Sequence, residues 1–151
     1  MNPLRDSVIL RWGMQAATGP LLVFSAYLLF AGHNRPGGGF AGGLVAGIAI
    51  SLAWAAGGRE AVDRLLPARG AILLGIGLVI AVLAGFGGYL WADGFLASAN
   101  WTVALPGFGE VKVVTALFFD VAVYLVVVGM AAALLRAVGS DETPAPVEED
   151  R

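Results

Sequence analysis

Gly32-His33-Asn34-Arg35-Pro36-Gly37-Gly38-Gly39-Phe40-Ala41-Gly42-Gly43 separates two long apolar runs and decides where the first one ends. Pro36 offers no backbone N–H to a continuing helix and biases Arg35 away from the α region. The glycines behind it free the backbone to reverse. A second apolar run starts inside them: Gly39, Gly43, Gly47, Ser51 and Ala55 recur every four residues, so one helix face carries a small residue at each turn. In lipid such a face lets a neighbouring helix approach backbone to backbone, with van der Waals packing replacing the missing hydrophobic drive. The stretch predicts a reversal that opens a tightly packed helix.

Around it, the composition is that of a membrane protein: 58% hydrophobic residues, 13% charged, and 22 glycines in 151 residues. The length accommodates one compact unit and no soluble catalytic domain of ordinary size beside it. Without cysteine the chain has no disulfides, thiolate metal sites or Cys nucleophiles.

Upstream, Arg5 and Arg11 precede an apolar run from Trp12 to Ala31. About 20 residues suffice to cross ~30 Å of hydrocarbon, whereas the apolar core of a signal peptide is about 7 to 15 long. Helix 1 is therefore expected over Ser7 to Phe30, bent near Pro20. Downstream, helix 2 is expected over Gly39 to Ala56. The charges that follow it, Arg59, Glu60, Asp63, Arg64 and Arg69, cannot lie in lipid. Arg59 and Asp63 stand at i, i+4, which suits a short interfacial helical turn before Pro67.

Helix 3 is expected from Gly70 to Leu90, with a second small ridge at Gly77, Ala81 and Gly85. Of the two ridges only one pair is expected to close internally, leaving the rest for partners. Next comes an amphipathic aromatic loop, with Trp91, Phe95, Trp101 and Phe108 among Asp93, Asn100 and Glu110. Trp rings favour the headgroup level, so this loop is expected along the interface or against the bundle. Helix 4 is expected over Val111 to Leu135. The fold class predicted is an all-α membrane protein of four transmembrane helices, with a membrane domain over 1–138 and an acidic, disordered tail over 139–151.

Four spans put the N-terminus, the 2–3 loop and the C-terminus on one side. That side holds Arg5, Arg11, Arg59, Arg64, Arg69, Arg136 and Arg151, and the other only Arg35 and Lys112. The positive-inside rule then places both termini in the cytoplasm and the Pro36 reversal outside.

Few residues carry chemistry. Asp120 is the one acid well inside an apolar run; ionised and alone near the bilayer centre it costs a few kcal/mol, so it is expected neutral, paired or facing a polar seam. It reads either as a proton or cation relay or as a buried acid that fixes helix packing through a hydrogen bond. Lys112 lies about 12 Å away along a continuous helix and well round it, too far for a direct pair. His33, the single histidine, reads either as a proton-titrating group at the outer surface or as a cap on the end of helix 1. Gly37, Gly39 and Gly42 spell GxGxxG, but no strand precedes them and no GK[ST] follows, so no nucleotide is expected. A lone histidine without companions assembles no zinc site. No cofactor, metal or nucleic-acid partner is expected.

Two stretches resemble one family. GHNRPGGGFAGG is similar to the GHxxPGGGFxGG signature of the MnhB/MrpB family, the B-type component of the multisubunit Mrp-type cation/proton antiporters, and TALFFDVAVYLVVVG resembles the family's FDxxVYLVV segment. The resemblance makes Gly32, His33, Asn34, Pro36, Gly37, Gly38, Gly39, Phe40, Gly42, Gly43 and the ridge residue Gly47 assembly residues, and keeps Asp120, His33 and Lys112 as relay or polar-contact candidates. It implies partners of the A, C, D, E, F and G types from the same kind of Mrp antiporter in a bacterial cell membrane, Na+ and H+ as the ions the complex exchanges, and no enzymatic activity. Two further readings stay open: an anchor component of a related membrane-bound hydrogenase-type complex, and a small homo-oligomeric exporter with its site at Asp120.

Overall fold

A computed structural model describes residues 7–32, 36–91, 100–105, 109–114 and 116–138. Its elements are α1 (Val8–Ala31), α2 (Gly39–Leu65), α3 (Gly70–Trp91), β1 (Asn100–Leu105), β2 (Gly109–Val114) and α4 (Ala116–Val138). All four helices are long and apolar enough to cross a membrane. His33, Asn34, Arg35 and the tail 139–151 lie outside the described residues.

The helix bounds follow local chemistry. Ser7 caps α1, its Oγ accepting the N–H of Leu10 at 3.4 Å, and Pro20 sits within the helix as expected. Gly58 interrupts α2 with φ 64° and ψ −155°, a conformation essentially reserved for glycine. Beyond it the chain makes the expected charged turn, with Arg59 3.8 Å from Asp63 and Arg64 3.4 Å from Glu60. These are exposed pairs of small energetic weight.

Two expectations need correction. Helix 4 starts at Ala116 and not at Val111, because residues 109–114 form β2, antiparallel to β1, with Lys112 opposite Thr102. Val111, Val113 and Val114 are β-branched and suit a strand as well as a helix, and pairing with Trp101-Thr102-Val103 tips the balance. The aromatic loop thus contains a two-stranded hairpin that a reading by hydropathy passes over. Its residues 92–99 and 106–108 lie outside the described set.

The second correction concerns the ridges. The helices pack in the order α1, α2, α4, α3. Both ridges close on α4, on different faces, and neither on the other. A β-carbon on Gly43 would come within 2.8 Å of Val127 Cβ, and one on Gly77 within 2.8 Å of the Ala122 carbonyl oxygen. Along α2 the ridge stops at Gly47: Ser51 is exposed and turns its hydroxyl back to the Gly47 carbonyl at 2.8 Å. From there burial follows Ala46, Ile50, Ala53 and Ala56, and the core joins Ala46, Ile50 and Val62 to Val128 of α4.

Arg136, near the end of α4, joins it to the α2–α3 connection. Its Nε donates to Asp63 Oδ1 at 2.8 Å, its Nη1 to the Ala68 carbonyl at 3.1 Å, and its Nη2 to the Leu66 carbonyl. The end of α4 and the charged connection therefore share one end of the bundle, as a four-span topology requires.

Candidate functional site

At the opposite end three helices meet around the glycines that follow Pro36. Gly38, at φ 104°, ends the reversal in a backbone conformation that only glycine adopts without strain. Its N–H donates to the Leu28 carbonyl at 2.9 Å, closing the last turn of α1, and its carbonyl accepts from Gly42 N–H at 3.0 Å as α2 begins. Having no side chain, Gly38 cannot cap α2. Asp120 of α4 does so: the Gly39 N–H donates to Asp120 Oδ1 at 3.1 Å. An acceptor there satisfies one of the free N–H groups of the first turn, and a carboxylate also complements the positive end of the helix dipole.

The later start of α4 changes what Asp120 is. In a helix from Val111 it would sit in the third turn, deep in the apolar run. In α4 it stands four residues past Ala116, about 6 Å along the axis, level with the first turn of α2. It is partly exposed. Val113, which a continuous helix would set beside it, belongs to β2.

One turn further along α4, Tyr124 enters a second polar contact. Ser25 of α1 is fully buried; its hydroxyl donates to the Gly42 carbonyl at 2.8 Å and lies 2.9 Å from Tyr124 Oη. A serine has one proton to give, so the bond to Gly42 makes Tyr124 the donor to Ser25. The string therefore runs Tyr124 to Ser25 to Gly42 and ends on an amide carbonyl, which cannot pass a proton on. It fastens α1, α2 and α4 together.

The three glycines of the GxGxxG pattern face three different close approaches and form no cradle. A β-carbon on Gly37 would come within 2.6 Å of the Leu28 carbonyl oxygen, one on Gly42 within 2.9 Å of the Ser25 carbonyl oxygen, and one on Gly39 would fall on the backbone carbonyl of Asp120. Gly32 packs against Gly38 in the same way. Pro36 and Phe40 are exposed. Of the polar candidates the structure brings Asp120 to the signature glycines and puts Lys112 on β2; His33 lies outside the described residues.

Ser25 and Tyr124 were not singled out by the sequence. The available signal was a hydroxyl face on α1, since Thr18 and Ser25 are seven residues apart and both buried, and a tyrosine four residues after Asp120. Removing the Ser25 hydroxyl strands the Gly42 carbonyl, so Ser25→Ala is expected to lower stability by about 1 to 3 kcal/mol. Tyr124→Phe leaves the bond to Gly42 in place and is expected to cost about 0.6 kcal/mol, the average for an interhelical hydrogen bond in lipid. Thermal unfolding of the two variants in the same detergent checks the order. A larger loss in Tyr124→Phe contradicts the assigned direction of the string.

Comparison with known proteins places this geometry. A family model described as a domain related to the MnhB subunit of Na+/H+ antiporter matches residues 9–133. The chain is 36% identical to the B-type component of the Na(+)/H(+) antiporter of Alkalihalophilus pseudofirmus, over 93% of its own length and 98% of the relative's. It is 37% identical to the protein of the same name from Bacillus subtilis, over 91% and 96% of the two chains. Among solved structures it resembles a chain of the Mrp complex from Dietzia sp. DQ12-45-1b, with a TM-score of 0.73 and 31% identity. That match covers 92% of this chain but only 15% of the solved one, so this chain corresponds to one portion of a much longer polypeptide there.

Proposed function

This chain belongs to the family of domains related to the MnhB subunit of Na+/H+ antiporters, and from that premise we infer that it is a multi-pass membrane subunit of a multisubunit Mrp-type cation/proton antiporter. The antiporter names of the relatives favour this over a hydrogenase-type anchor. Its partners are the other components of such a complex. Its role is transport and not covalent chemistry, in a bacterial cell membrane with both termini in the cytoplasm. Within it, Asp120 acts as a cap supplied from α4 to α2, holding the signature glycines in register with both neighbouring helices.

The observation that carries this role is the bond from Gly39 N–H to Asp120 Oδ1 at 3.1 Å, made where Gly38 offers no side chain. An asparagine oxygen accepts the same bond, so Asp120→Asn is expected to assemble and to exchange ions near the wild-type rate, while Asp120→Leu is expected to assemble poorly. The check is pH-dependent cation/proton exchange in vesicles containing the assembled complex. Normal assembly with lost exchange in Asp120→Asn, and partial recovery in Asp120→Glu, is the signature of a relay and overturns the capping role.

The orientation has its own test. A cysteine at Arg64 or Ser140 is expected to react with an impermeant thiol reagent in inside-out vesicles and not in intact cells. Labelling of intact cells reverses the topology.

A further inference from the structure

At the arginine-bearing end of the bundle, α1 and α2 part. The cavity between them has a volume of about 350 Å³ and is lined by Gln15, Thr18 and Gly19 of α1 and by Ala53, Ala61 and Arg64 of α2. Its position follows from the backbone: Ala53 precedes and Ala61 follows Gly58, where the helix breaks at φ 64°, and glycine and alanine leave the walls bare. Leu22 and Leu65 line both this cavity and a second one of about 220 Å³, which runs inward among Ile50, Leu73, Tyr124 and Val128. The two form one slot, wet at its mouth and apolar at its end.

Polarity falls steadily along it. Arg11, Gln15, Thr18 and Leu22 follow one another at helical spacing on one face of α1 and read cation, amide, hydroxyl and aliphatic from the mouth inward. The Thr18 hydroxyl is already given to the Met14 carbonyl at 2.9 Å, so beyond the mouth this wall has little to offer a polar ligand. On α2, Arg64 faces Arg11's end of the slot. It is bonded to Glu60 at 3.4 Å, but both side chains are more than four-fifths exposed, and such a pair is easily exchanged for another anion.

We propose that this slot holds an anionic phospholipid, one acyl chain lying past Leu22 and Leu65 and the phosphate resting between Arg11 and Arg64. Arginine recognises phosphate through paired N–H donors, and the gradient from cation to aliphatic wall matches an amphiphile. The volume lies in the range of small-molecule sites, about 300 to 1,000 Å³, whereas a partner helix about 10 to 12 Å across needs an open groove. The site depends on the fold alone and stands independently of the transport reading.

The test uses the assembled complex in bilayers of phosphatidylethanolamine doped with phosphatidylglycerol or phosphatidylcholine carrying a photoreactive diazirine on the acyl chain. Phosphatidylglycerol is expected to label the segments around Leu22 and Leu65 several-fold more strongly than phosphatidylcholine. A β-carbon on Gly19 meets nothing within 4 Å, so Gly19→Leu fills the slot without touching its neighbours, and it is expected to lose the label with assembly intact. The exposed pair Arg11→Gln/Arg64→Gln is expected to keep assembly and bring the two probes to equal labelling. Equal labelling in the wild type, or unchanged preference in the double variant, overturns the proposal. So does a crosslink from Gln15→Cys to a neighbouring polypeptide of the complex seated in the slot.

Discussion

Gly39→Ala is expected to abolish assembly of the antiporter complex, while Gly47→Ala assembles at the wild-type level. A β-carbon at Gly39 would fall on the carbonyl oxygen of Asp120, with the Asp120 carbonyl carbon at 2.6 Å and Cα at 2.9 Å. All three are backbone atoms, so no side chain can turn aside and α2 must separate from α4. Overpacking a well-fitted contact costs about 1 to 3 kcal/mol, and a backbone-on-backbone clash falls at or beyond the top of that range. Separation also breaks the Gly39–Asp120 bond. At Gly47 the nearest atom is Ala131 Cβ at 3.4 Å, close to an ordinary contact. Gly43→Ala falls between, since Val127 Cβ at 2.8 Å belongs to a stiff β-branched side chain. Yields of intact complex after affinity purification through another of its components measure the series. Wild-type yield from Gly39→Ala is incompatible with the α2–α4 seam.

Arg136→Ala is expected to cost about 2 to 3 kcal/mol and to loosen the connection between α2 and α3. The guanidinium is only 14% exposed and donates to three acceptors, two of them the main-chain carbonyls of Leu66 and Ala68, which follow the end of α2. Its truncation leaves those carbonyls without their donor at the rim of the membrane. The bond to Asp63 contributes less, because that carboxylate is half exposed to solvent. Arg136→Lys keeps the charge but lacks the planar fork, so it is expected to recover only part of the loss. Protease cleavage within 59–70, followed in detergent, reads the loosening directly. Equal resistance in Arg136→Ala and wild type removes this role.

Much of the fold is legible because it rests on local properties. Run length and Pro36 mark α1 and the start of α2, and Gly58 with the charges behind it marks the interfacial turn. The start of α4 was not legible, because a valine-rich segment satisfies a strand and an apolar helix alike until a pairing partner is in place. That five-residue difference also misplaced Asp120 in depth. At the site, the need for glycine was readable from its spacing, but the reason for each glycine was not.

What the sequence by itself determined, then, is the number of spans, the reversal at the glycines and the existence of a close helix seam. Only the tertiary structure decided that α4 fills that seam, that it closes the α3 ridge as well, and that Asp120 caps α2. A small ridge announces a close neighbour but carries no address, since glycine contributes space and no side chain to match. The address is written in bonds between residues far apart in the chain, 81 positions for Gly39 and Asp120 and 99 for Ser25 and Tyr124, and those exist only once the helices are packed.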